Sequence, residues 1–177
     1  MKRLLTSLLL FLLIIISLTG LFSCNKTMPA GFWNNFKPNL VNTKIGKQGL
    51  SGGHSVIYWE SSAAKIFTSE ELVEYATKNG WELVSKTHFD ADSLKKWAYH
   101  NKNIFPLSSK GFEPNNISVD SSYEKFPRWT TSGVTVFSFK TGWITVVPGT
   151  SESNSVNGFI MLSDNGQEVS LYHLWGE

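Results

Sequence analysis

From Gly133 to Trp175 the chain is committed to β-structure, and this stretch limits the fold more than any other. Gly133 to Phe139 and Trp143 to Val147 are rich in β-branched and aromatic residues, with Lys140-Thr141-Gly142 between them. That arrangement predicts two strands joined by a tight hairpin. Phe159 to Ser163 and Glu168 to Trp175 flank Asp164-Asn165-Gly166-Gln167, which predicts a second hairpin. Pro148 to Asn157 reads as the polar loop between the two pairs.

Two helices precede this β-rich third. Thr68-Ser69-Glu70-Glu71 is a capping-box sequence, in which the Thr68 hydroxyl accepts from the Glu71 N–H and the Glu71 carboxylate reaches back. Leu72, Tyr75, Ala76 and Asn79 follow at helical spacing and Gly80 suits the left-handed residue after the helix, so residues 69–79 are predicted helical. Residues 81–89 read as a strand. A second helix, capped by Asp90 or Asp92, is expected through Ala91, Leu94, Trp97 and Ala98 to about His100. Strands and helices first and antiparallel hairpins afterwards predict a small single α+β domain, with two helices packed on a mainly antiparallel sheet that ends in β-hairpins. Residues 101–128 show no periodicity and carry Pro106, Gly111, Pro114 and Pro127. A stretch this long is usually functional or mobile, and its Phe105, Phe112 and Phe126 predict packing on the body.

The N-terminus has a different character. Lys2 and Arg3 precede an apolar run from Leu4 to Leu18, and Cys24 is the sole cysteine. A basic start, an apolar core and a small residue before the cut make a secretory signal. Residues 1–24 resemble a bacterial lipoprotein signal: Leu21, Ser23 and Cys24 match the lipobox, while Phe22 departs from its usual small or β-branched residue. The resemblance implies cleavage before Cys24, diacylglyceryl and palmitate-type acylation there, and a bacterial envelope location. With Asn25 rather than an acidic residue after the cysteine, the periplasmic face of the outer membrane is the expectation. Each buried CH₂ of such chains adds roughly 0.8 kcal/mol of membrane affinity. The alternative reading is an uncleaved membrane-spanning helix, since Leu4 to Phe22 approaches the ~20 residues that span a bilayer.

On this reading residues 1–23 are the signal peptide, 24–53 the lipidated cysteine and a flexible tether, and 54–177 the single domain. Residues 25–53 carry two Pro and five Gly without an apolar pattern, although Phe32-Trp33-Asn34-Asn35-Phe36 is too aromatic for an idle linker. Removing Lys2 and Arg3 from 16 basic residues leaves 14 against 14 acidic ones. A neutral body gives no electrostatic case for nucleic acid. Arg128 is then the only arginine, and no disulfide within the chain is possible. Stability has to come from an apolar core, for which seven Trp, five Tyr and twelve Phe are available.

Motifs for chemistry are sparse. Gly49-Leu50-Ser51-Gly52-Gly53 fits G-x-S-x-G, but a nucleophile elbow needs an apolar strand before it and a helix after it, and neither is predicted. His54, His88, His100 and His173 lack helical metal-ligand spacing, and no cofactor or metal is expected. His88 and Asp90 read as a solvated side chain and a helix cap. Glu70, Glu71 and Glu74 read as favourable charge in the first helical turns. Trp129, Trp143 and Trp175, with Tyr123 and Tyr172, form a possible aromatic platform. The candidate ligand or partner surface is Phe105, Phe112, Arg128, Trp129 and His173. The expected function is a non-catalytic, lipid-anchored envelope protein that binds a protein partner or envelope component, as an accessory subunit or immunity-type protein. The alternative is a small envelope hydrolase using Ser51 or a His/Asp pair.

Overall fold

The computed structural model describes residues 30–63, 66–99, 102–114 and 127–176. The signal, Cys24 and Tyr123 lie outside the described residues. The chain divides into two units, Met1–Phe36 and Lys37–Glu177. In the first, Gly31–Asn35 forms a short 3-10 helix in which Trp33 meets Phe36 edge-on, ring centres 5.4 Å apart.

The second unit is a mainly antiparallel β-structure with few helices. In chain order it contains β1 (Val41–Gln48), β2 (Gly52–Glu60), α1 (Ser69–Lys78), β3 (Glu82–Phe89), α2 (Ala91–Lys95) and the short strands β4 (Ala98–Tyr99), β5 (Lys102–Asn103), β6 (Leu107–Ser108) and β7 (Gly111–Phe112). It closes with β8 (Val134–Val146), β9 (Ser153–Ser163) and β10 (Glu168–Gly176). One six-stranded sheet has the order β1-β2-β10-β9-β8-β3, while β4–β5 and β6–β7 form two small ribbons. Among the described residues no helix is long and apolar enough to cross a membrane.

The register explains the core. Val56, Tyr172, Phe159 and Ser138 stand in line across β2, β10, β9 and β8, so one face carries Val56, Tyr172, Phe159, Met161, Val134 and Val136. Leu94 of α2, with Trp97, Phe105 and Leu107, belongs to the same buried cluster. Alternation sends Ile57, Phe137, Ile160 and Leu171 to the opposite face, where all four are buried. A sheet apolar on both faces reads as near-continuous hydrophobic sequence, as β10 does. Near this second face Trp81, just after α1, has its ring centre 5.6 Å from that of Phe139.

The cap of α1 forms as expected on its donor side, with the Glu71 N–H donating to the Thr68 hydroxyl at 3.2 Å. The Glu71 carboxylate is instead engaged by Lys37 Nζ at 2.7 Å. Asp90 caps α2 by accepting from the Ser93 N–H at 2.7 Å, and that hydrogen bond holds its carboxyl below the usual carboxylate range. The helix is shorter than its periodicity implies. It stops at Lys95, and Ala98–Tyr99 turns into a ribbon with Lys102–Asn103.

Two further expectations are overturned. Val41–Gln48, within the stretch read as tether, is a full strand paired with β2. An edge strand touches one neighbour, so its polar sequence carries no apolar signature. Lys140-Thr141-Gly142 is no hairpin turn, because Val134 to Val146 is one continuous strand. Lys140 pairs with Val156 and Thr145 with Asn154, so residues 141–144 bulge opposite Ser155 alone. The Asp164–Gln167 hairpin joins β9 to β10 as expected.

Gly158 on β9 faces the Trp81 ring so closely that an added Cβ would lie 2.7 Å from it. Gly158→Ala is therefore expected to lower stability by about 1–3 kcal/mol, the usual range for overpacking. Urea denaturation would read this, with Gly49→Ala, whose added Cβ meets only ordinary contacts, as the control.

Candidate functional site

The bulge in β8 is held by a buried polar network that starts on β9. The Asn157 amide Nδ2 donates to the Leu174 carbonyl at 2.9 Å, just beyond His173↔Gly158, where the β9–β10 ladder ends. This fixes Asn157 Oδ1 as the acceptor for the Thr141 hydroxyl at 2.8 Å. The Thr141 oxygen then accepts, from the Trp143 N–H at 3.3 Å and from His173 Nε2 at 3.1 Å. His173 consequently carries its proton on Nε2, and its buried Nδ1 has no hydrogen-bond partner among the described residues. Its ring stacks on Trp175 at 4.9 Å and lies 5.4 Å from that of Trp81. Burial in this aromatic cage pushes the imidazole down to about 3, so it is neutral at physiological pH.

The network turns Thr141 inward and leaves the next side chains outside. Trp143 is 46% and Ile144 50% exposed, although both are large and apolar. Gly142, at φ +81°, supplies the left-handed residue the bulge needs. Glu82 pairs with Lys140 immediately before the bulge, which brings the start of β3 to the same corner. There Leu83 is 39% and Val84 47% exposed. The ion pair of Lys140 with Glu82, at 3.8 Å, stands between the two groups. Gly176 pairs with both Gly52 and Thr145, so the fully exposed Leu50 of the β1–β2 turn lies at this end of the sheet too. Lys37 enters the unit at the opposite end, near Phe67 and Glu71. Exposed apolar groups on neighbouring strands at one end of the sheet, beside an ion pair, have the make-up of an interaction surface.

The residues singled out from sequence do not form one surface. Phe105 is fully buried, stacked on Tyr172 at 4.1 Å and on Phe112 at 5.1 Å. Trp129 is half-buried and stacks on Tyr58 at 5.3 Å. Arg128, also half-buried, has its guanidinium shifted down by desolvation, opposed by the fields of Tyr172 and Glu168. Glu168 is buried and accepts from the Tyr58 hydroxyl at 2.9 Å and the Thr131 N–H at 3.1 Å. Burial, with this hydrogen bond, pushes the Tyr58 phenol up. His173 lies across the sheet from all of them. Among the described residues the aromatic platform is likewise not assembled, since Tyr172 and Trp175 are buried on opposite faces and Trp143 alone stands out.

Ser51 sits in the exposed hairpin turn between β1 and β2, where the Gly49 N–H donates to the Gly52 carbonyl at 2.7 Å. That is not a strand-to-helix elbow. His54 on β2 and His88 on β3 are separated in the strand order by β10, β9 and β8. His88 pairs with Asp164 at 3.0 Å, and Asp90 is occupied as a cap. His54, His88, Asp90 and His173 therefore do not converge. Among the described residues no three His, Cys, Asp or Glu side chains are grouped to hold a metal. Sequence reasoning missed Leu83, Val84 and Ile144, because a β-branched or aliphatic residue on a strand reads as core. No family model, no curated protein and no solved structure matches this chain.

The buried His173 makes stability depend on pH. An unfolded His binds a proton near pH 6.5, whereas the folded one resists until about 3. Stability is thus complete above pH 6.5 and falls as pH drops toward 3, by up to about 1.4 kcal/mol per pH unit. His173→Phe is expected to flatten this acid limb in urea melts taken between pH 7 and 4, while the Thr141–Asn157 bond persists.

Proposed function

We propose that this chain is a lipid-anchored protein of the bacterial envelope whose domain binds a protein partner through the Leu83–Val84 and Trp143–Ile144 corner. The observation that carries the reading is the exposure of Trp143 and Ile144 on a bulge held by buried hydrogen bonds. Bulges commonly re-aim side chains at functional places. A rigid Trp beside an aliphatic residue has the make-up of an interface anchor, because it hides a large area at little entropic cost. The signal-like Met1–Cys24 stretch supplies the anchor, with the outer membrane's periplasmic face as the proposed site. Roles as accessory subunit or immunity-type protein both fit this arrangement. The same reading takes both helices as packed on the sheet, with support from buried Leu72 and Ala76 of α1 and Leu94 of α2.

Two measurements test the proposal separately. Palmitate labelling of the full chain in a bacterial host should disappear in Cys24→Ser; persistent labelling, or a mature N-terminus at Met1, would refute the anchor. Crosslinking in intact cells should capture a discrete partner with the native chain and lose it with Trp143→Ala. Truncating such an anchor typically costs at least 2 kcal/mol of binding, roughly thirtyfold in affinity. An unchanged crosslink pattern would remove this corner from the interface.

A further inference from the structure

A second feature lies on the sheet face that carries Tyr172, and no sequence motif announces it. A cleft of ≈ 260 Å³ opens between the tip of the β6–β7 ribbon and the sheet. It is lined by Ser85, Ser138, Asn154 and Lys110 together with Phe112 and Phe159, among others. The register accounts for the space. Ser85, Ser138 and Phe159 stand side by side across β3, β8 and β9, so the aromatic row of the core gives way to two small hydroxyl side chains. Ser138 is only 8% exposed. Phe112, partly exposed, forms the apolar side of the cleft, and the buried Phe159 backs it with its ring 6.2 Å away and inclined at 42°.

The cleft is held open by contacts that bind the ribbon to the sheet. Asn154 Nδ2 donates to the Lys110 carbonyl at 2.8 Å while its Oδ1 accepts from the Val156 N–H at 2.9 Å. The Thr145 hydroxyl donates to the Ser109 carbonyl at 3.0 Å. Gly111, at φ +106°, makes the turn, and a Cβ there would meet Asn154 Nδ2 at 2.7 Å. The nearby Glu113 carboxylate is occupied by the Ser108 hydroxyl at 2.9 Å. Among the described residues no acidic side chain lines the cleft, and Lys110 is its single charge.

We propose that this cleft binds one hydroxylated ring bearing a carboxylate, that is, an acidic monosaccharide unit. The volume lies just below the ~300–1,000 Å³ of drug-sized pockets, which suits a single ring. The exposed part of Phe112 takes the C–H face of the ring, the two serines exchange hydrogen bonds with its hydroxyls, and Lys110 meets the carboxylate. This site is independent of the corner at Trp143 and of the lipid anchor.

Calorimetric titration of the full chain with D-glucuronate, and with D-glucose as the neutral arm, tests the proposal. Saturable binding of glucuronate is expected, with D-glucose and the Lys110→Gln variant each weaker by about fivefold, as for one exposed charge pair. Ser138→Leu should fill the cleft and abolish binding. Absence of saturable glucuronate binding overturns the proposal, as does unchanged affinity in Lys110→Gln or in a Ser138→Leu chain that circular dichroism shows to be folded. Lys110 is an exposed side chain, so its variant keeps the test decisive even if the Ser138 variant does not fold.

Discussion

β10 is the strand on which the rest of the structure depends, because it is hydrogen-bonded on both edges and buried on both faces. Its adjacent Tyr172 and His173 point to opposite sides. Tyr172 stacks on Phe105 and donates to the Pro127 carbonyl at 2.6 Å, fastening the chain at Pro127 to one face. His173 anchors the Thr141–Asn157 network behind the other. A pair of residues at the centre of the sheet therefore positions both the wall of the cleft and the bulge that exposes Trp143. Without a disulfide available to the domain, such double burial supplies the cohesion that a cross-link would otherwise give.

The two candidate sites arise from opposite departures from regular packing. At the corner, extra residues in β8 carry large apolar side chains outward. In the cleft, small residues on β3 and β8 leave room beneath a ribbon. Both are built on hydrogen-bonded strands rather than on loose loops, which holds their groups in place without a bound partner. They also use different chemistry. The corner offers apolar area with one ion pair, and the cleft offers hydroxyls, a cation and part of one aromatic ring.

Local signals were legible where one short stretch contains its own explanation. The Thr68 cap, the Asp90 cap and the Asp164–Gln167 turn each depend on contacts within a few residues, and each formed. Expectations failed where the deciding contact was distant. β1 looks like linker because its partner β2 supplies the order. Lys140-Thr141-Gly142 looks like a turn, yet His173 and Asn157 draw Thr141 inward and keep the strand continuous. Trp97 fits the helical spacing after Asp90 but is drawn into the cluster around Phe105 and Phe112. Of the candidate surface, Phe105 and His173 are fully buried, as expected for an aromatic packing on the body and for a histidine on the face of Leu171 and Trp175.

The sequence by itself determined the β-rich C-terminal half, the two capped helices, the lack of disulfides and the near-neutral charge after Cys24. These follow from composition, period and residues adjacent in the chain. Tertiary structure alone decided which apolar residues stayed outside and where small ones left a gap. That outcome depends on strand register, since pairing Ser85 with Ser138 and opening the ladder at residues 141–144 are long-range matters. A hydrophobic pattern states which residues prefer burial; only the packed sheet has limited room, and it left Trp143 and Ile144 in solvent.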